Sequence, residues 1–199
     1  MLSQIRPAFV MIILFTLLTG VAYPLAITGL AQLAFSGQAN GGMIERGGVI
    51  VGSALIGQNF TSDKYFHSRP SATSAPDPAD SSKTVDAPYN AANSSGSNLG
   101  PTSKKLIERV NATIEAEFAA GRVDVVPADA ATTSGSGLDP HISPQYALAQ
   151  VPGVARARNL NEGRVREIVE DHIEPRAFGL FGEPRVNVLM LNLALDALE

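Results

Sequence analysis

From Pro7 to Ile44 the chain carries no Asp, Glu, Lys, Arg or His, and within that window Phe9 to Leu33 reads FVMIILFTLLTGVAYPLAITGLAQL. No other feature restricts the fold so strongly. A bilayer core of ~30 Å is crossed by about 20 helical residues rising ~1.5 Å each, and a helix satisfies its own backbone polar groups. The sequence therefore predicts a short cytoplasmic N-terminus at 1–8, a transmembrane helix at 9–33, a linker at 34–43 and one extracytoplasmic domain at 44–199. Gly20 and Pro24 lie inside the run, where a membrane helix tolerates them with a kink. Tyr23 sits deeper than an interfacial aromatic belt, so its expected neighbour is a partner helix.

A cleaved secretory signal is the alternative, since Arg6 precedes the run and Gly37 and Ala39 follow it. A signal core, however, has only ~7–15 apolar residues. Arg6 and the terminal amine stand on one side, whereas Glu45 and Arg46 cancel on the other. The positive-inside rule then places the N-terminus in the cytoplasm and the domain outside.

Beyond the helix the chain has the composition of an average soluble protein, because much of its 45% hydrophobic content lies in the anchor. A net charge of −4 without a basic cluster argues against nucleic acid as a partner. The absence of cysteine removes disulfides, thiolate nucleophiles and zinc–thiolate sites.

Val49 to Val51, between Gly47-Gly48 and Gly52, reads as a strand. Residues 69–103 are rich in Ser, Ala, Pro, Asn and Gly and form a long loop, either disordered or ordered by a binding role. A helix starts at Thr102 or Ser103, with Leu106, Ile107, Val110, Ile114 and Phe118 as an apolar stripe and Gly121 closing it. Val123 to Val126 is a short strand candidate. Ser143 caps and Pro144 opens a helix expected to run to Val151, where Pro152-Gly153 interrupts it. Asn161 caps another, with Val165, Ile168, Val169 and a half-buried His172 on one face and Pro175 ending it. Arg185 to Leu195 (RVNVLMLNLAL) reads as a buried strand running into a final turn. The fold class is α+β: one N-terminal transmembrane helix followed by a single mixed α/β extramembrane domain.

Motifs for chemistry are missing. Neither the phosphate-accepting Asp-Lys-Thr-Gly-Thr of a P-type pump nor a phosphate-binding P-loop occurs, and Ser134-Gly135-Ser136-Gly137 lacks the spacing and following helix of a nucleophile elbow. Asp139-Pro140-His141-Ile142-Ser143 groups a carboxylate, an imidazole and a hydroxyl. Turn construction before a helix accounts for them best, with partner contact next and metal or catalysis last.

Several segments taken in order resemble the KdpC family, the C subunits of the Kdp potassium-transporting ATPase. They are Tyr23-Pro24-Leu25, Gly57 to Phe60, Tyr65 to Ser71 (YFHSRPS), Ser94 to Pro101 (SSGSNLGP), Ser134 to Pro144 (SGSGLDPHISP) and Pro184 to Leu191 (PRVNVLML). In QVPGVARAR, Gly153 stands where the family often has an arginine. The resemblance implies a non-catalytic accessory subunit of a bacterial inner-membrane complex that imports potassium at the expense of ATP. Its implied partners are a pore-bearing potassium-translocating subunit, a P-type catalytic subunit and membrane lipid.

The implied role is to stabilise assembly and raise the ATP affinity of the catalytic subunit, with no tightly bound cofactor and ATP reached only through that subunit. Expected contacts are Gly20, Tyr23 and Pro24 in the helix and Ser97, Asn98, Asp139, His141 and Ser143 in the loops, with Gln150 a nucleotide candidate. Nucleotide contact by Gln150 or the Asp139 motif would require a cytoplasmic domain. Two other function classes therefore stand beside this one: a nucleotide-binding regulator facing the cytoplasm, and a membrane-tethered binding module without a pump.

Overall fold

Most of the uncharged run lies in one continuous helix, Ile5–Ala34, long and apolar enough to cross a membrane. The computed structural model describes residues 2–121 and 125–198. Within the helix, α1 (Ile5–Leu17) and α2 (Tyr23–Ala34) flank a π-helical turn, Leu18–Ala22. Pro24 has no N–H to give the carbonyl four residues back. Just before it the backbone widens, the Tyr23 N–H reaching Leu18 O, five residues back. Thr19 Oγ1 donates to Phe15 O at 2.7 Å. Inside the expected linker lies a single turn, α3 (Ser36–Ala39).

The chain divides into two units at Ile44 and Glu45. At that boundary β1 (Met43–Arg46) and β2 (Val49–Ser53) pair across Gly47 and Gly48, as the glycine-bounded branched run predicts; in the second unit the rest of the fold follows. The core is built by three helices, α6 (Pro144–Arg158), α7 (Glu162–Asp171) and α8 (Val188–Asp196), against an antiparallel sheet. That sheet has the order β5 (His141–Ile142), β7 (Arg185–Asn187), β6 (Ile173–Glu174). His141 stands opposite Asn187 and Ile173 opposite Val186. Phe66, Tyr146, Val151, Val165, Val169, Val186, Leu191 and Leu195 are all buried there. An α+β unit behind an apolar helix is the architecture expected.

Three elements differ from expectation. Arg185 to Leu195 is a strand for only three residues, after which α8 begins. The Asn187 side chain accepts the Met190 N–H and caps the helix, and Val188, Leu191, Asn192 and Leu195 are buried at helical spacing. Second, α6 runs through Pro152 and Gly153 to Arg158. Burial of Val154 and Ala155 outweighs the penalty of ~3 kcal/mol that an interior proline carries. Asn159, left-handed at φ 56°, ends the helix.

Third, α4 (Lys104–Ala119), which starts after Ser103 as expected, covers its apolar stripe incompletely: Ile107 and Phe118 are exposed while Glu117 is buried. The strand expected at Val123–Val126 begins outside the described residues, and Val125 and Val126 have irregular backbone.

The long polar segment is ordered. It contains an antiparallel hairpin, β3 (Ser74–Pro76) with β4 (Thr84–Asp86), in which Ala75 faces Val85. A short helix, α5 (Ala128–Ala131), follows α4.

Candidate functional site: a braced polar loop surface

The serine- and glycine-rich motifs meet at one place because their small side chains let backbones touch. Ser95 N–H donates to Ser136 O at 3.0 Å and the Ser94 hydroxyl to the same carbonyl at 3.1 Å. Gly96 lies so close to the 134–137 loop that a Cβ there would sit 2.7 Å from Gly135 O. Gly137 has φ +68°, and its Cβ would meet Thr73 Cγ2 at 2.6 Å and Ser95 O at 2.7 Å. A side chain at either position would part the loops.

Hydroxyls complete the junction. Ser71 Oγ donates to Gly137 O at 2.8 Å and accepts the Tyr89 N–H at 3.0 Å. Thr73 Oγ1 donates to Ala87 O at 2.6 Å and accepts the Asn90 N–H at 3.1 Å. Ser134 and Ser136 accept the N–H groups of Gly137 and Leu138, at 2.9 and 3.1 Å. These serines build turns, and among the described residues neither pairs with a base that would make it a nucleophile.

A line of charges borders the junction. Asp139 Oδ2 accepts from Arg69 Nη1 at 2.9 Å, and Oδ1 accepts the His141 N–H at 3.0 Å. The His141 ring lies between carboxylates, Nδ1 3.6 Å from Asp139 and Nε2 3.8 Å from Glu174, and Glu174 pairs with Arg185 Nε at 2.9 Å. Burial of Asp139 opposes ionisation, but hydrogen bonds from His141 and the Arg69 guanidinium outweigh it and hold the carboxyl below its ordinary value. Burial pushes the Tyr89 phenol up to about 12, where its hydroxyl donates to Arg69 O at 2.8 Å. Ser143 donates to Asp129 Oδ1 at 2.9 Å, and its Oγ accepts the Tyr146 N–H at 3.0 Å as the cap of α6.

Deeper in, two amides grip an extended segment. Asn192 accepts the Phe66 N–H at 2.8 Å and donates to Phe66 O at 3.0 Å. Gln150 accepts the His67 N–H at 2.7 Å and donates to His67 O at 3.2 Å. Together they replace the neighbouring strand this segment lacks.

The structure thus joins Asp139, His141 and Ser143 to one bordered surface. It places Ser97 half-buried and Asn98 exposed at φ 49° on the adjoining loop. Gln150 is 1% exposed with both amide ends engaged. Gly20, Tyr23 and Pro24 are exposed on the apolar helix. Sequence reading missed Arg69, Thr73, Tyr89, Asp129 and Asn192 as members; Arg69 was visible only as part of the family-like segment YFHSRPS. His172 is half-buried as expected, with Nδ1 2.7 Å from Ile168 O. Among the described residues no cluster of three or more His, Cys, Asp or Glu could hold a metal ion.

The class defined by these features is a membrane-associated chain in which an apolar helix precedes a polar unit presenting a braced loop surface. The chain belongs to the KdpC family: residues 5–197 match the family described as "KdpC: K+-transporting ATPase, c chain". It is 63% identical over 197 residues to the potassium-transporting ATPase KdpC subunit of Rhodopseudomonas palustris (strain BisB18), covering 99% of each chain. The KdpC subunit of Methylobacterium nodulans is 60% identical over 198 residues, 100% of this chain and 98% of that one. That of Bradyrhizobium diazoefficiens is 59% identical over 196 residues, 98% of each.

Proposed function

We propose that the chain serves as a non-catalytic accessory subunit that spans the bacterial inner membrane once and stabilises the potassium-import complex. In this reading the N-terminus is cytoplasmic, the helix packs on the pore-bearing subunit through the Gly20, Tyr23 and Pro24 region, and the external unit covers the potassium entrance. The observation that carries it is the loop junction, where Ser94–Ser95 are fastened to Ser136 and bordered by the Arg69–Asp139 ion pair and the His141 ring. Rigid loops on a scaffold are what recognition surfaces are made of, and this one joins two of the segments that carry the resemblance to the family.

Any gain in ATP affinity of the catalytic subunit is then transmitted through the assembly. Gln150 supports that route over direct contact, because reaching a nucleotide would pull its buried side chain from the core and strip both hydrogen bonds from the half-buried His67 peptide.

Topology tests the reading. The chain has no native cysteine, so Ser97→Cys and Ser136→Cys each introduce a single thiol. A membrane-impermeant maleimide should label both in intact cells. Labelling only after lysis would place the unit in the cytoplasm and favour a nucleotide-facing regulator.

A further inference from the structure

Between β6 and β7 the chain reads PRAFGLFGEP over residues 175–184, and the tip shows three large apolar side chains to solvent. Phe178 is 98% exposed, Leu180 69% and Phe181 64%. The tip is firmly built. Ala177 and Phe181 exchange backbone hydrogen bonds of 2.9 and 3.0 Å, and Leu180 N–H donates to Ala177 O at 3.1 Å. Phe178 itself has φ 55°, in the left-handed region that a bulky side chain avoids. Strain and exposure at one residue both oppose stability, and such a combination points to use outside the chain.

We propose that this tip is a knob seated in an uncharged apolar socket on another subunit of the assembly, Phe178 being its leading side chain. Charge selects that occupant. Beneath the tip Arg176 is paired with Glu183, and Arg185 with Glu174, so the stem is locally neutral. Residues 175–184 contain no Lys, Trp or Tyr, and the chain carries a net charge of −4. An anionic lipid surface would find no unpaired cation there and neither Trp nor Tyr to hold at the headgroup level, whereas an uncharged protein socket complements the tip as it stands. Phe178 and Phe181 on a short stiff hairpin are aromatic side chains of the kind enriched in interface cores.

The inference rests on the reading of the chain as an assembly subunit, and the test separates the two. A photoreactive benzoylphenylalanine replacing Phe178 in the full chain, co-expressed with the other subunits in membranes, should give an adduct to one of those subunits within a stretch of apolar, uncharged residues. Adducts only to lipid, only to a second copy of this chain, or to no subunit would overturn the knob.

In parallel, Phe178→Asp should leave the melting temperature of the detergent-solubilised chain unchanged while its recovery in the purified complex falls at least tenfold. Phe178→Gly, which removes the ring and relieves the backbone, should melt no lower than wild type yet also be under-recovered. Full recovery of both variants alongside wild type would sink the knob alone. Absence of the wild-type chain from the complex would remove the assembly reading, and the knob with it.

Discussion

Asn192 and Gln150 act on the Phe66 and His67 peptides as a neighbouring strand would, closing four hydrogen bonds to the backbone of one extended segment. Asn192→Ala strands a buried N–H and C=O together and should cost about 2–5 kcal/mol. Asn192→Leu, which refills the space without the polar ends, should lose a similar amount in urea titrations of the full chain in detergent.

At Asp139 the folded pKa lies below the unfolded one, so its stabilisation is complete above the ordinary carboxylate value and is lost as pH falls through the folded value. Asp139→Asn should flatten that acid limb of the stability curve. Tyr89 runs the other way. Its folded value of about 12 exceeds an unfolded value near ~10, so stability should decline across that alkaline interval, less steeply in Tyr89→Phe.

Little of this was readable beforehand. Asp139, His141 and Ser143 announce a turn by their order, but Arg69 lies 70 positions from Asp139 and only the finished fold brings the two together.

At the scale of elements, the capped helices were the most legible. Ser143 and Asn161 accept the N–H groups expected of them, because capping is local and needs only three or four residues of context. The errors arose where tertiary burial overrode local preference. Pro152 does not stop α6, and the branched run after Arg185 turns helical as soon as Asn187 caps it. Its spacing of Val188, Leu191 and Leu195 carried the helical period, but a short apolar run fits either reading.

The ordering of residues 69–103 was also hidden, since composition suits a free loop and the clamping partners are elsewhere. The junction that orders it should fail at Gly137. Gly137→Ala combines a left-handed backbone with contacts under 3 Å and should cost about 2–4 kcal/mol. Limited proteolysis within 69–103 should accelerate in that variant.

For the whole molecule, the division at Ile44 and Glu45 leaves the hydrophobic core entirely on one side. A chain beginning at Glu45 should therefore fold, melt cooperatively and remain in the supernatant when membranes are pelleted, while failing to join the complex. A chain that aggregates instead would show that the helix is needed for folding as well as for tethering.

The loop junction also has a consequence in time. Ser71 meets Gly137, Ser95 meets Ser136 and Phe66 meets Asn192, a separation of 126 positions in the last case. Contacts so distant along the chain close late, after the loops between them have been gathered. An immature chain would lack the surface proposed above for a partner, so on that reading only molecules that have closed the junction should be recovered in the complex.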